Sequence, residues 1–235
     1  MGDKLYIVIP AYNEKDTIEE VINDWYPVIE KIGADSRLII INDGSTDDTF
    51  HVMEKYAKSL KQFVPLTKKN SGHGATLLYG YKYAISHGAD FIFQTDSDGQ
   101  TLSEEFWPFW ELRNQYKMII GQRCKREDGK ERIFVTKVLK VVIRICFGVI
   151  VPDANTPFRL MQASTLKQVL PLIPVDFNLA NVIISVIYAK KNLSTKYIPI
   201  TFRPRQGGIN SLNLLKIFRI GKKAIKDFRS INKAI

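Results

Sequence analysis

The sequence predicts an α/β protein with a mostly parallel sheet and helices on both faces. Three observations predict it. Short, continuously apolar runs alternate with longer stretches whose apolar residues recur at helical spacing. Each early run ends in a cluster rich in Gly, Asn, Asp and Ser, and the alternation holds from Leu5 to Gly121. Strands covered on both faces read as unbroken apolar runs, and joining them in parallel requires crossover helices.

The elements follow in order. Leu5 to Ile9 reads as a buried strand ended by Pro10. Asp16 to Ile32 is helical, with Ile18, Val21, Ile22, Trp25, Ile29 and Ile32 on one face. Asp16 and Glu19 suggest a capping box, and Pro27 a kink or an end. Leu38 to Ile41 is a second strand, Asp47 to Leu60 a helix, and Phe63 to Leu66 a third strand. A helix over Ala75 to His87, a strand over Phe91 to Thr95, a helix over Ser103 to Gln115 and a strand over Met118 to Gly121 complete the regular half. Beyond it come a charged loop (Arg123 to Arg132), a helical pattern (Ile133 to Ile150) and a strand (Phe158 to Gln162). A helix over Phe177 to Lys190, a strand over Lys196 to Ile200, a basic loop at 202–208 and a final helix from Leu212 to Ile235 follow.

The 235 residues are enough for one sizeable core, and 45% hydrophobic with 25% charged content is ordinary for a globular protein. Two cysteines, Cys124 and Cys146, lack metal-ligand spacing, so a disulfide framework or cysteine zinc site is not expected. No apolar run is long enough to span a bilayer, and the first strand starts too early for a signal peptide. The formal charge of +10 calls for an anionic partner: nucleic acid, anionic lipid or a phosphorylated substrate.

In parallel α/β sheets ligands bind outside the carboxyl ends of the strands. That rule selects "PAYNE" at 10–14, "NDGSTDD" at 42–48, "KNSGHG" at 69–74 and "DSDG" at 96–99. Asp96 and Asp98 share one side of an extended segment, because side chains alternate. Two carboxylates so close repel unless a cation lies between them, and Mg²⁺ takes one or two carboxylates and fills its shell with water and substrate phosphate. The plainer reading is a cap for the next helix, which needs only one of them. Asp43 can accept a hydrogen bond from a nucleobase, or simply form an Asp-Gly turn. Gly72 and Gly74 let backbone N–H groups approach a phosphate or base, or merely turn the chain into a helix. His73 reads as a surface loop residue. The dinucleotide fingerprint and the Walker A lysine are absent.

"IVIPAYNE", "INDGSTDDT", "NSGHGATLLYGYKYA" and "FQTDSDGQ", in that order, resemble the family 2 glycosyltransferases of GT-A fold. "GQR" at 121–123, "PDANTPFRLMQAS" at 152–164 and "RQGGINSL" at 205–212 are similar to the dolichyl- or polyprenyl-phosphate sugar synthase branch. The resemblance implies an inverting transfer from a UDP- or GDP-sugar with Mg²⁺ or Mn²⁺. It implies that Pro10, Ala11, Tyr12, Glu14, Ile41 and Asp43 line the nucleotide pocket, with Gly72 and Gly74. Asp96, Ser97 and Asp98 would hold metal and diphosphate, and Arg123 and Arg205 would contact phosphate or acceptor. Asp153 matches the aspartate opening the family's Asp-x-x-Ser-Gly-Phe-Arg-like segment. Three positions depart from the pattern: Asn42 replaces the first acid of Asp-Asp-Gly-Ser, Pro157 replaces the glycine before Phe-Arg, and Ser211 is not followed by lysine.

A phosphate acceptor, already ionised at neutral pH, needs no general base; a sugar hydroxyl does, and Asp153 is then the candidate. The plainer reading of Asp153 is a turn residue after Pro152. Residues 1–211 are expected to form the GT-A domain, with 1–122 as the nucleotide-sugar half and 123–211 as the acceptor half. Residues 212–235 carry seven basic residues against the single acid Asp227, beside apolar residues at helical spacing. This reads as an amphipathic helix for an anionic membrane surface, or as a helix packed on the domain. The expected partners are a nucleotide-sugar donor, a lipid-linked or glycan acceptor and the inner face of the cell membrane, not nucleic acid, because no nucleic-acid motif accompanies the charge. A homo-oligomer or a partner membrane protein is compatible with the sequence. The rival readings are transfer to a sugar hydroxyl in polysaccharide or glycolipid biosynthesis, and an inactive membrane-bound scaffold of the same fold.

Overall fold

The computed structural model describes residues 2–123, 130–203 and 227–233, with side chains in the second stretch from residue 136 onward. One seven-stranded sheet runs through it in the order β3-β2-β1-β4-β6-β5-β7. The strands are β1 (Leu5–Ala11), β2 (Arg37–Asn42), β3 (Phe63–Thr67), β4 (Phe91–Gln94), β5 (Met118–Arg123), β6 (Arg159–Gln162) and β7 (Thr195–Ile200). The helices are α1 (Ile18–Ile32), α2 (Thr49–Ala57), α3 (His73–Ser86), α4 (Trp107–Glu111), α5 (Lys130–Phe147), α6 (Ala163–Val169) and α7 (Ala180–Lys190). All pairings are parallel except those of β6, which runs antiparallel between β4 and β5. The carboxyl ends of β1, β2, β4 and β5 therefore share one edge.

Strand periodicity divides the core into two layers. Leu5, Ile7 and Ile9 of β1 pack with Trp25, Ile29 and Met53 on one face, while Tyr6 and Val8 pack with Leu77, Tyr81 and Ile183 on the other. An aromatic cluster lies beneath the end of β4: the Phe93 ring centroid is 4.7 Å from Phe158, 5.0 Å from Phe106 and 5.2 Å from Trp25. The Phe158 and Phe106 rings meet Phe93 edge-on and Trp25 meets it tilted; such aromatic pairs add about 0.5–1.5 kcal/mol each beyond burial, so the strand presenting the Asp96–Asp98 turn is firmly seated.

The structure differs from the sequence expectations at several points. Pro10 does not end β1, which continues to Ala11 in register with β2, and the Pro10 carbonyl accepts a bond from Ser97 instead. The Asp16–Glu19 capping box does not form. The Glu14 carbonyl receives the N–H groups of Thr17 and Ile18, and that starts α1. Pro27 lies inside α1 without ending it. The helix expected from Ser103 to Gln115 is a 3-10 turn, Ser103–Phe106, followed by the short α4 with Pro108 near its start. The reversed direction of β6 and the helix α6 were not anticipated. At the carboxyl end, residues 227–233 are helical and bury Phe228 and Ile231. Phe228 sits 5.3 Å from Phe147 and 6.0 Å from Phe177, so this part packs onto the domain. Residues 204–226, including most of the expected terminal helix and the basic loop from Pro204 on with Arg205, lie outside the described residues, as does Cys124.

Candidate active site

The loop after β1 and the loop after β2 are tied together. Asn13, at a left-handed φ of 54°, donates its N–H to Ser45 Oγ at 2.9 Å and accepts the Thr46 N–H at 2.8 Å. Asparagine tolerates this conformation better than most residues. Glu14 is buried, with Thr17 Oγ1 donating to its Oε2 at 3.1 Å and its own N–H donating to Thr49 Oγ1 at 2.9 Å. Both contacts brace the loop from below, whereas Tyr12 stands 47% exposed at the rim. Pro10, Ala11 and Ile41 are buried at the strand ends beneath it.

Asp43 organises the next loop. Its carboxylate accepts bonds from Lys68 Nζ, from the Ser71 N–H at 3.0 Å and from the Gly72 N–H at 2.9 Å. Burial pushes this carboxyl up, but hydrogen bonds from Lys68, Ser71 and Thr76 together with the Lys68 charge outweigh it and hold the group below the usual carboxylate range. Asn42, the departure from the family pattern, is buried. Its Oδ1 accepts the Ser45 N–H at 3.1 Å and its Nδ2 donates to Thr67 Oγ1 at 2.9 Å. The amide thus performs a turn-capping task beside Asp43 without adding a second buried charge.

Gly72 has φ 89°, a region costly for side chains. Gly74 is needed for a different reason: a Cβ there would lie 2.2 Å from the Phe177 carbonyl oxygen. The missing side chain lets the 177–178 backbone close over the start of α3, which also explains why α7 begins at Ala180 rather than Phe177. The two glycines thus shape the site by backbone conformation and close packing.

Asp96 and Asp98 are both partly exposed at the end of β4, while Ser97 between them is buried. Ser97 Oγ donates to the Pro10 carbonyl at 2.9 Å, and its carbonyl lies 3.1 Å from Thr17 Oγ1, whose one proton is shared with Glu14 Oε2. Ser97 therefore fastens the acidic turn to β1 and α1. Asp98 Oδ1 accepts the Gln100 N–H at 3.2 Å. His73, exposed as expected of a surface residue but at the first position of α3, places Nε2 3.0 Å from Asp96 Oδ1. Desolvation would lower the pKa of this imidazole, but Asp96, Asp98 and Asp43 outweigh it and raise it. Among the described residues no group of three His, Cys, Asp or Glu side chains is arranged to hold a metal. A cation between Asp96 and Asp98 would therefore complete its shell from diphosphate and water, which is the habit of Mg²⁺.

Two strands along the same edge, Arg123 and Asp153 form a bidentate pair, Nε to Oδ2 at 2.9 Å and Nη2 to Oδ1 at 2.8 Å, with little exposure of either. The Arg123 guanidinium lies 5.1 Å from the centre of the Phe202 ring. The chain after β7 closes on the acidic turn: Gln100 Nε2 donates to the Arg203 carbonyl and the Arg203 N–H returns to the Gln100 carbonyl, both at 2.8 Å. Beneath the 153–157 loop, Arg159 is fully buried and bonds the carbonyls of Ala154, Thr156 and Asn181. Burial lowers its pKa. The sequence gives no sign of Lys68, whose partner Asp43 lies 25 residues away; His73 lies in the "KNSGHG" cluster and Arg159 in the Phe-Arg of the 152–164 segment, but their contacts with Asp96 and with the 154–156 and Asn181 carbonyls are not legible there.

The edge thus brings together Asp43, Asp96, Asp98, His73, Arg123 and Asp153. Three comparisons bear on what it is. A UDP-N-acetylglucosamine–dolichyl-phosphate N-acetylglucosaminyltransferase of Methanococcus voltae is 27% identical over 188 residues, 71% of this chain and 73% of that one. An undecaprenyl-phosphate 4-deoxy-4-formamido-L-arabinose transferase of Sodalis glossinidius is 24% identical over 93% of this chain, and the match spans 65% of the relative's length. Its counterpart in Pectobacterium atrosepticum is 23% identical over 80% of this chain and 61% of the relative. Glucosyl-3-phosphoglycerate synthase of Mycobacterium tuberculosis, crystallised with Mn²⁺, UDP-glucose and phosphoglyceric acid, superposes with a TM-score of 0.69 at 17% identity. That superposition covers 99% of this chain and 80% of the synthase, and it establishes the GT-A fold. The model of "Glycosyl transferase family 2" matches residues 6–170, a stretch that begins in β1 and takes in every acidic residue of the site, and the chain belongs to that family.

Proposed function

We propose that this chain transfers a sugar from a UDP- or GDP-sugar to the phosphate of a polyprenyl phosphate, with inversion at the anomeric carbon. The observation that carries the reading is the gathering of Asp43, Asp96 and Asp98 at the carboxyl ends of β2 and β4, the two strands that flank β1, with the Arg123–Asp153 pair on the same edge. Asp43, with the loop it holds, forms the floor for the nucleotide, and Tyr12 forms its rim. Asp98 and Asp96 would hold Mg²⁺ or Mn²⁺, which when bound neutralises the leaving diphosphate as a Lewis acid. His73 orients Asp96. The acceptor phosphate oxygen forms the new bond to the anomeric carbon as the bond from that carbon to the diphosphate oxygen breaks, and the nucleoside diphosphate leaves with that electron pair. An in-line approach requires positioning more than acid–base help.

Asp153 supports the phosphate reading over the hydroxyl reading. A carboxylate whose two oxygens accept a bidentate arginine is poorly disposed to take a proton, and a phosphate nucleophile asks for none. The pair keeps Arg123 at the cleft, where its remaining N–H groups suit phosphate. A polyprenyl phosphate is anchored in a bilayer, so the enzyme works at the membrane surface. No described helix is long and apolar enough to cross a membrane.

The test is a transfer assay with UDP- and GDP-sugars, polyprenyl phosphate and Mn²⁺ or Mg²⁺, followed by mass spectrometry and NMR of the product. A sugar phosphate of inverted anomeric configuration, made by wild type and not by Asp98→Ala, is the expected result. Transfer only to sugar hydroxyls would replace this reading with the glycan one.

A further inference from the structure

We infer that the outward face of α5 docks the protein on an anionic lipid bilayer beside the acceptor side of the cleft; the inference rests on the lipid-acceptor reading above. The inner face of α5 is accounted for: Ile143 and Phe147 are buried, packed with Phe228, Ile231 and α7 residues. The outer face is apolar as well. Val138 is 44% exposed, Val141 57% and Ile145 75%, spaced three and four residues apart so that they share one stripe. Ile150, 75% exposed just past the helix end, adds a fourth exposed apolar side chain three residues before Asp153 in the chain. Lys137, Lys140 and Arg144 are exposed alongside it, each immediately before one of the stripe's apolar residues.

The charge pattern selects the occupant. A second copy docked through the same face would set basic residues against basic residues. Residues 212–226 of this chain carry Lys216, Arg219, Lys222, Lys223 and Lys226 and no acid, so they make an equally poor cover. Nucleic acid would satisfy the charges and leave the valines and Ile145 in water. An anionic bilayer satisfies both halves: apolar side chains enter the acyl boundary while the lysine and arginine stems reach back to the headgroups. The docked face would hold the cleft at the depth of a lipid phosphate.

Sedimentation of the full chain with vesicles tests this, using phosphatidylcholine alone and phosphatidylcholine mixed with phosphatidylglycerol, at low and high salt. Wild type should bind the mixed vesicles, bind neutral ones weakly and be released by salt. Val141→Asp combined with Ile145→Asp, and separately Lys140→Glu combined with Arg144→Glu, should each weaken binding by about tenfold or more. Both should keep wild-type donor affinity and transfer to a short, water-soluble prenyl phosphate. Ile145→Trp should gain a blue-shifted emission with mixed vesicles that wild type lacks. Undiminished binding by both double variants, or no shift in Ile145→Trp, would overturn the inference. So would a dimer in solution, by analytical ultracentrifugation, that Val141→Asp/Ile145→Asp dissociates, because a second copy would then be the occupant. Loss of donor binding in wild type would instead count against the active-site reading, and the vesicle result would remain separately legible.

Discussion

Asp43 shows how much a single carboxylate can organise. It collects a lysine and two backbone N–H groups from the loop that precedes α3. Its pKa is held below the usual range, so it contributes stability that is fully present above its unfolded value of about 4 and is lost as pH falls through the folded value. Asp43→Asn is expected to cost about 2 kcal/mol at neutral pH, the scale of a charge-assisted hydrogen bond. It should also flatten the acid limb, so that the urea midpoints of variant and wild type converge below about pH 4. Parallel pH dependences would place the acid sensitivity elsewhere. At Asp153 the expectation concerns rate. Asp153→Asn should leave the shape of the pH–rate profile unchanged while lowering stability by about 2–4 kcal/mol, because it strips a nearly buried arginine of its counterion. Disappearance of an ionising limb would make Asp153 a general base and favour a hydroxyl acceptor. These roles were only half legible in the sequence. Asp43, Asp96 and Asp98 stood out because they follow strand ends, and Asp153 only through the family resemblance. The partners of Lys68, His73 and Arg159 did not, since nothing local distinguishes a buried or bridging cation from a solvated one.

At the level of elements, the strands were the most legible part. β1, β2 and β4 are covered on both faces, so their apolar runs are unbroken and their positions fell within one or two residues. Ends were less legible where tertiary contacts override local preference: β1 runs through Pro10, and α7 starts late because Phe177 and Asn178 press on Gly74. The direction of β6 could not be read at all, since four residues of strand look alike either way round. The Gly74 contact makes a sharp prediction. Gly74→Ala would set a Cβ 2.2 Å from the Phe177 oxygen, so α3 or the 177–178 loop must shift. A loss of about 1–3 kcal/mol by thermal unfolding is expected. Donor affinity should weaken with it, because the displaced α3 start carries His73. A variant as stable as wild type would mean that the loop gives way freely.

For the whole molecule, the fold gathers the acidic strand-end residues along one edge and exposes basic residues on α5. Composition announced the charge, and strand-end rules announced the edge. Neither showed that residues 227–233 pack into the core, because an apolar helical stripe reads the same against a membrane as against a protein. The donor site rests on Asp96 and Asp98. Titration calorimetry of UDP- and GDP-sugars, with and without Mn²⁺, on wild type and Asp98→Ala tests it most directly. One nucleotide class should bind wild type with an affinity raised at least about tenfold by the cation, since two carboxylates and the diphosphate would share it, and Asp98→Ala should lose this increment. Equal binding with and without Mn²⁺, or an increment retained by Asp98→Ala, would contradict it.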